Sequence, residues 1–151
     1  MIKREKIKDL LVSTAFDTEV KVMGWIRTFR NNQFIALNDG SCMGNIQIVV
    51  DFANTPEELL KRLTTGAAIS VVGTLVESIG KGQKVDVKAT SITILGDSNA
   101  EEFPLQPKKH SLEFLREKAH LRFRTNTFNA VFKIRHALAF AIHQFYNERG
   151  F

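Results

Sequence analysis

Arg27, Phe34 and Gln47 are the residues whose types and spacing offer this chain a chemistry. A phenyl ring stacks on the flat face of a nucleobase, a primary amide matches its Watson–Crick edge, and a guanidinium holds a phosphate. The three share one outward surface if residues 19–51 form three strands, because side chains alternate between the two faces of a strand. In the first strand Val20, Val22, Gly24 and Ile26 point one way, and Lys21, Met23, Trp25 and Arg27 the other. In the second, Ile35 and Leu37 point inward while Phe34, Ala36 and Asn38 face out. In the third, Ile46, Ile48 and Val50 are inward, with Gln47 and Val49 outward. Two readings stand on this pattern alone: a site for single-stranded nucleic acid, or a phenylalanine covered by a loop beside a solvated glutamine.

Other chemistries lack their residues. His110, His120, His136 and His143 are not spaced as paired metal ligands, and one cysteine, Cys42, supports neither a zinc framework nor an intrachain disulfide. Gly80-Lys81-Gly82 is too short for a glycine-rich phosphate fingerprint, and no nucleophile-elbow motif surrounds any serine. No catalytic residue and no metal site is expected here.

The elements that must position the outward surface can be read in order. Ile2, Ile7, Leu10 and Leu11 recur at near-helical spacing among lysines that form a solvated face. After the three strands, Thr55-Pro56-Glu57-Glu58 reads as a helix start, with Thr55 as cap and Pro56 at the first helical position. Leu59, Leu60 and Leu63 give the buried side, and Gly66 the end. Residues 68–77 and 85–95 are the fourth and fifth strands, joined by a glycine-rich turn. In the fifth, Val85, Val87, Ala89, Ile92 and Ile94 share a face only if the phase slips near Thr90, as at a bulge. Three strands, a helix and two strands is the order of an OB-fold, the five-stranded barrel that commonly binds oligonucleotides across its second and third strands. An SH3-like or other small barrel is the alternative, and the capped helix favours the OB order.

From 96 to 110 the composition turns to Asp, Ser and Asn with Pro104 and Pro107, which predicts a hinge. Ser111 caps a short helix, and residues 127–150 form a longer one whose apolar residues cover far more than one stripe. The expected organisation is a mainly β chain: an OB-fold domain over 1–100, a hinge with a short helix over 101–126, and a helical segment over 127–151.

With 151 residues and 44% hydrophobic content the chain is long enough for a packed core. Net charge is +5, and most of the excess lies in 101–151, where nine Lys/Arg meet five Asp/Glu. A modest basic excess suits an anionic partner. Neither a signal-peptide core nor an apolar run of bilayer length is present, so the cytoplasm is the expected compartment and no membrane association is expected.

With these segments in place, the chain resembles the bacterial asparaginyl-tRNA synthetases, a family of class II aminoacyl-tRNA synthetases. Four stretches carry the likeness. Three are Val22-Met23-Gly24-Trp25-Ile26-Arg27, Phe34-Ile35-Ala36-Leu37-Asn38-Asp39-Gly40 and Asn45-Ile46-Gln47-Ile48, all shared with aspartyl and lysyl relatives. The fourth is Phe103-Pro104-Leu105-Gln106-Pro107-Lys108-Lys109-His110, continuing through Glu113-Phe114-Leu115-Arg116 and His120-Leu121-Arg122, and it is similar to the asparaginyl branch in particular.

The resemblance implies that the barrel binds the anticodon of tRNA(Asn), with Phe34 stacked on the central uridine, Gln47 bonded to its edge and Arg30 on the same nucleotide or its phosphate. It places Lys81 and Lys84 near the third anticodon position, so the candidate binding set is Phe34, Gln47, Arg30, Arg27, Lys81 and Lys84. For the full-length enzyme it implies ATP and Mg²⁺, asparagine activation and transfer to tRNA, and a homodimer. Nothing here resembles the second and third class II motifs, so this stretch by itself is expected to be inactive. The helix from Thr127 resembles the start of the first motif, whose proline would lie beyond Phe151. Phe123 stands where relatives often carry proline. An aspartyl-tRNA synthetase relative and a stand-alone OB-fold single-strand binder are the alternatives. In isolation the apolar helix over 127–151 is expected either to pair into a dimer or to fray and aggregate.

Overall fold

The computed structural model describes residues 2–80, 82–99 and 101–151. They divide into two compact units, Met1–Lys108 and Lys109–Phe151. The first is a closed five-stranded barrel, mainly β, with a helix between its third and fourth strands, as the element order predicts.

A short helix α1 (Ile7–Leu10) precedes β1 (Glu19–Arg30), β2 (Phe34–Asn38) and β3 (Ile46–Val49). Helix α2 (Glu57–Arg62) leads to β4 (Ala68–Glu77) and β5 (Val85–Gly96). The barrel runs β1-β2-β3-β5-β4 and returns to β1. All neighbours are antiparallel except β3 and β5, whose parallel pairing closes the cylinder. Its interior is the inward set read from the alternation: Val20, Val22, Ile26, Ile35, Leu37, Ile46, Ile48 and Val50, joined by Ile69, Val71, Leu75, Val85 and Val87, with Ile7 and Leu10 from α1 and Leu63 from the residue after α2.

Three irregularities fit this sheet to itself, the first at the end of β5, where Leu95 is skipped between the pairs Ala68↔Gly96 and Ile69↔Ile94. Thr90 is skipped between the pairs Val72↔Ser91 and Gly73↔Ala89, the bulge that the fifth strand's phase requires. The β5 backbone comes so near at that point that a Cβ on Gly73 would collide with the Lys88 carbonyl. Arg27 is likewise skipped in the β1–β2 register, between Ile26↔Leu37 and Thr28↔Ala36. That bulge reverses the facing of the last residues of β1, turning Phe29 onto the core opposite Ile35 and Arg30 outward.

Three local expectations are corrected. Asn38 does not face solvent: it is buried, donates from its amide to the Cys42 and Gly44 carbonyls, and accepts from the Gly40 N–H at 2.8 Å, so it holds the β2–β3 loop. Thr55 does not cap α2. Its hydroxyl donates to the Asp51 carbonyl at 2.6 Å, while the Asp51 carboxylate caps a 3₁₀ turn over Phe52–Asn54 and Pro56 occupies the helix cap without a side-chain bond. Gly66 lies beyond the helix end at Leu63, and its positive φ of 93° turns the chain into β4.

The loop after β2 is pinned to the N-terminus through Asp39. Its carboxylate accepts from the Ile7 N–H at 3.1 Å and from the Ser41 hydroxyl at 2.6 Å and amide at 2.9 Å, and Arg4 stands 3.6 Å away.

In the second unit, α3 (Leu112–Glu117) is capped by the Ser111 hydroxyl, and α4 (Asn126–Asn147) by that of Thr125, both accepting from a backbone N–H three residues on. Arg122 lies over the Phe128 ring at 4.7 Å. Along α4, Val131, Ile134, Leu138, Phe140, Ile142, Phe145 and Tyr146 are all exposed.

Candidate nucleic-acid interface

Phe34 opens β2 and Gln47 sits in the middle of β3, both half-buried, on the outward phase of strands whose intervening residues are core. In an antiparallel ladder residues directly opposite share a face. Phe34 lies opposite Val49 and Gln47 opposite Ala36, so ring and amide stand on one surface. The bulge at Arg27 adds the cation, because it sets Arg30 directly opposite Phe34.

Between β1 and β2 the chain reverses through Asn31 and Asn32, with φ of 54° and 50°, and the Gln33 N–H donates to the Arg30 carbonyl at 3.0 Å. Two successive positive φ angles are those of a type I′ hairpin turn, which asparagine tolerates better than most residues. The turn carries Asn31 to the same surface. Arg30, Asn31, Phe34 and Gln47 line one open recess of about 440 Å³, within the roughly 300–1,000 Å³ of small-ligand sites. A guanidinium, a ring and two amides around such a space can stack on a planar heterocycle, bond its edge and neutralise an attached phosphate.

Of the other residues singled out from sequence, Arg27 is half-buried at the bulge and does not line the recess. Burial lowers its guanidinium pKa from the ordinary value, still leaving a cation at neutral pH. Lys84 is exposed just before β5 and is not among the lining residues. Lys81 lies outside the described residues.

Two participants escape a reading of the sequence. Asn31 registers there only as a turn residue. Asp86 sits between the core residues Val85 and Val87 and is 7% exposed, although its phase is outward. It is covered by side chains that donate to it: Gln83 Nε2 at 2.6 Å to Oδ1, and Ser78 Oγ at 2.9 Å and Gln47 Nε2 at 3.4 Å to Oδ2. The parallel β3–β5 register pairs Gln47 with Asp86. The only sequence signal was a carboxylate flanked by two inward valines.

Among the described residues no three His, Cys, Asp or Glu side chains converge to hold a metal ion, and no helix is long and apolar enough to cross a membrane.

Comparisons with known proteins agree with this geometry. The family model described as an OB-fold nucleic acid binding domain, tRNA anti-codon, matches residues 20–95. The asparagine–tRNA ligase of Parabacteroides distasonis is 58% identical over 99% of this chain and 33% of its own length. That of Cytophaga hutchinsonii is 52% identical over the same shares. The chain thus spans about a third of the length of the curated relatives it matches. Among solved structures, asparaginyl-tRNA synthetase from Pyrococcus horikoshii complexed with asparaginyl-adenylate shares the fold, with a TM-score of 0.82 at 21% identity over all of this chain and 36% of that one. Because the family model matches the barrel from β1 to β5, half of this chain's length, the chain belongs to the tRNA anti-codon family of OB-fold nucleic acid binding domains.

Proposed function

We propose that this chain is the anticodon-recognition part of a cytoplasmic asparagine–tRNA ligase, and that the recess between β1, β2 and β3 receives the central anticodon base of tRNA(Asn). Phe34 stacks on the base, Gln47 bonds its Watson–Crick edge, and Arg30 neutralises the adjoining phosphate. Arg27, Lys81 and Lys84 add positive charge along the path of the strand. The observation that carries this reading is the convergence of Arg30, Asn31, Phe34 and Gln47 on one recess of the face where OB-folds take oligonucleotides. It is supported by relatives named asparagine–tRNA ligase at 50–58% identity.

In the longer enzyme asparagine would be activated with ATP and Mg²⁺ and transferred to the tRNA, within a homodimer. This chain's part in that reaction is to bind and orient the anticodon. By itself it is proposed to be inactive in aminoacylation and to self-associate through the apolar surface of α4. Titration with anticodon stem-loop RNAs differing at single anticodon positions is the test. The reading predicts a preference for uridine at the centre and for the asparagine anticodon over the aspartate one. Equal affinity for every variant would contradict it.

A further inference from the structure

We propose that Asp86 is a specificity-determining positioning residue, which fixes the orientation of the Gln47 amide and thereby selects a base carrying an imino N–H donor. This rests on the reading of the recess as an unpaired-base site and adds a residue outside its lining.

A primary amide has a donor end and an acceptor end, and either could face the recess. An ionised carboxylate only accepts. With Asp86 Oδ2 receiving Gln47 Nε2 at 3.4 Å, the NH₂ end is held toward β5, and Oε1 is the end left for the recess that Gln47 lines. A carbonyl there accepts from uracil N3–H or guanine N1–H and opposes the bare ring nitrogen of cytosine or adenine. Uracil and cytosine have the same outline, so nothing but hydrogen-bond polarity separates them at this edge.

The carboxylate is built to hold this orientation. It is nearly buried, is fixed by Ser78 and Gln83 from the β4–β5 connection, and is aligned with Gln47 by the parallel ladder that closes the barrel. Charge strengthens such bonds relative to neutral ones, and exclusion of water strengthens them further. Without that carboxylate the Gln47 amide is free to turn over and present its NH₂ group to cytosine.

Measurement of Kd for stem-loop RNAs carrying U or C at the central anticodon position decides the matter, on the whole chain with Asp86→Asn, Gln47→Ala, the double variant and Phe34→Ala. The wild-type preference for U over C, about tenfold or more for one well-placed edge contact, is expected to fall to within about threefold in Asp86→Asn. The U-containing RNA should lose less affinity than the preference does, and Asp86→Asn should change nothing further in a Gln47→Ala background. An unchanged U/C ratio with both RNAs weakened alike means that Asp86 merely ties the β4–β5 connection, and overturns the proposal. If Phe34→Ala and Gln47→Ala themselves leave binding intact, the base site is misplaced and both readings fall. If they weaken binding and Asp86→Asn keeps the ratio, only the role of Asp86 falls. Should Asp86→Asn not fold, RNA with N3-methyluridine at the same position tests the amide's orientation on the wild-type chain: binding as weak as the C variant is expected, and affinity equal to uridine would overturn the proposal.

Discussion

Arg30 stands directly opposite Phe34 across the β1–β2 ladder because β1 carries one residue more than β2 between Ile26 and Thr28. Insertion of one alanine between Thr28 and Phe29 would shift the phase by one residue, turning Phe29 off the core and Arg30 into it. A cost of about 3–5 kcal/mol, that of losing a core phenylalanine, is expected in urea unfolding. Arg27→Ala, which keeps the residue count, should cost much less. Equal losses for the two would show that the Arg27 side chain, and not the register, sets the strand.

Phosphate contacts and edge contacts should separate experimentally. Lys84→Ala is expected to weaken all stem-loop RNAs alike and to reduce the slope of log K against log salt by about 0.7, the value for one phosphate on a single strand. Gln47→Ala should leave that slope unchanged and lose discrimination at the central base. A salt slope that moves with Gln47 rather than Lys84 would contradict this division.

Asp39 makes stability sensitive to acid. Burial raises its carboxyl pKa, but the hydrogen bonds from Ser41 and from the Ile7 N–H, with Arg4 nearby, outweigh that, and the group lies below the ordinary aspartate value. A folded-state pKa depressed below the unfolded one, about 3.9, contributes stability above that pH and loses it as pH falls through the folded value. Asp39→Asn should therefore be less stable near neutrality and show a flatter stability profile below about pH 4. Parallel profiles for the two proteins, measured by urea midpoints, would contradict it.

Much of this site is legible in the sequence because it depends on a period of two. Phe34 and Gln47 are separated from Ile35, Ile46 and Ile48 by alternation alone, and the skip at Thr90 shows as a break in an otherwise regular run of apolar residues. What fails is whatever depends on a distant partner or on competition between short polar side chains. Arg30 came only with the family likeness, because alternation carried on from Ile26 without the Arg27 bulge sets it on the inward phase. Asp86 needed the parallel pairing with Gln47, 39 residues away. Asn38 bonds the loop that follows it rather than solvent. At α2 the Asp51 carboxylate and the Thr55 hydroxyl take local backbone partners, so a sequence that matches the capping rules forms a different cap.

The exposed apolar residues of α4 should govern association state. At about 25 cal/mol per Å² of apolar surface, covering Ile134, Leu138, Phe140 and Ile142 favours pairing of chains. Light scattering is expected to show self-association for 1–151 and a monomer for 1–108. A monomeric 1–151 with α4 protected from hydrogen exchange would contradict this.

The central claim is that the outward face of β2 and β3 binds an unpaired anticodon base, and Phe34→Ala tests it most directly. Kd for the cognate stem-loop RNA should rise by the equivalent of about 1–3 kcal/mol, the loss of one base–aromatic stack, with the thermal midpoint of the barrel unchanged. A variant that melts far earlier, yet binds RNA as tightly as wild type when folded, would show that Phe34 serves the core and that the recess is not the site.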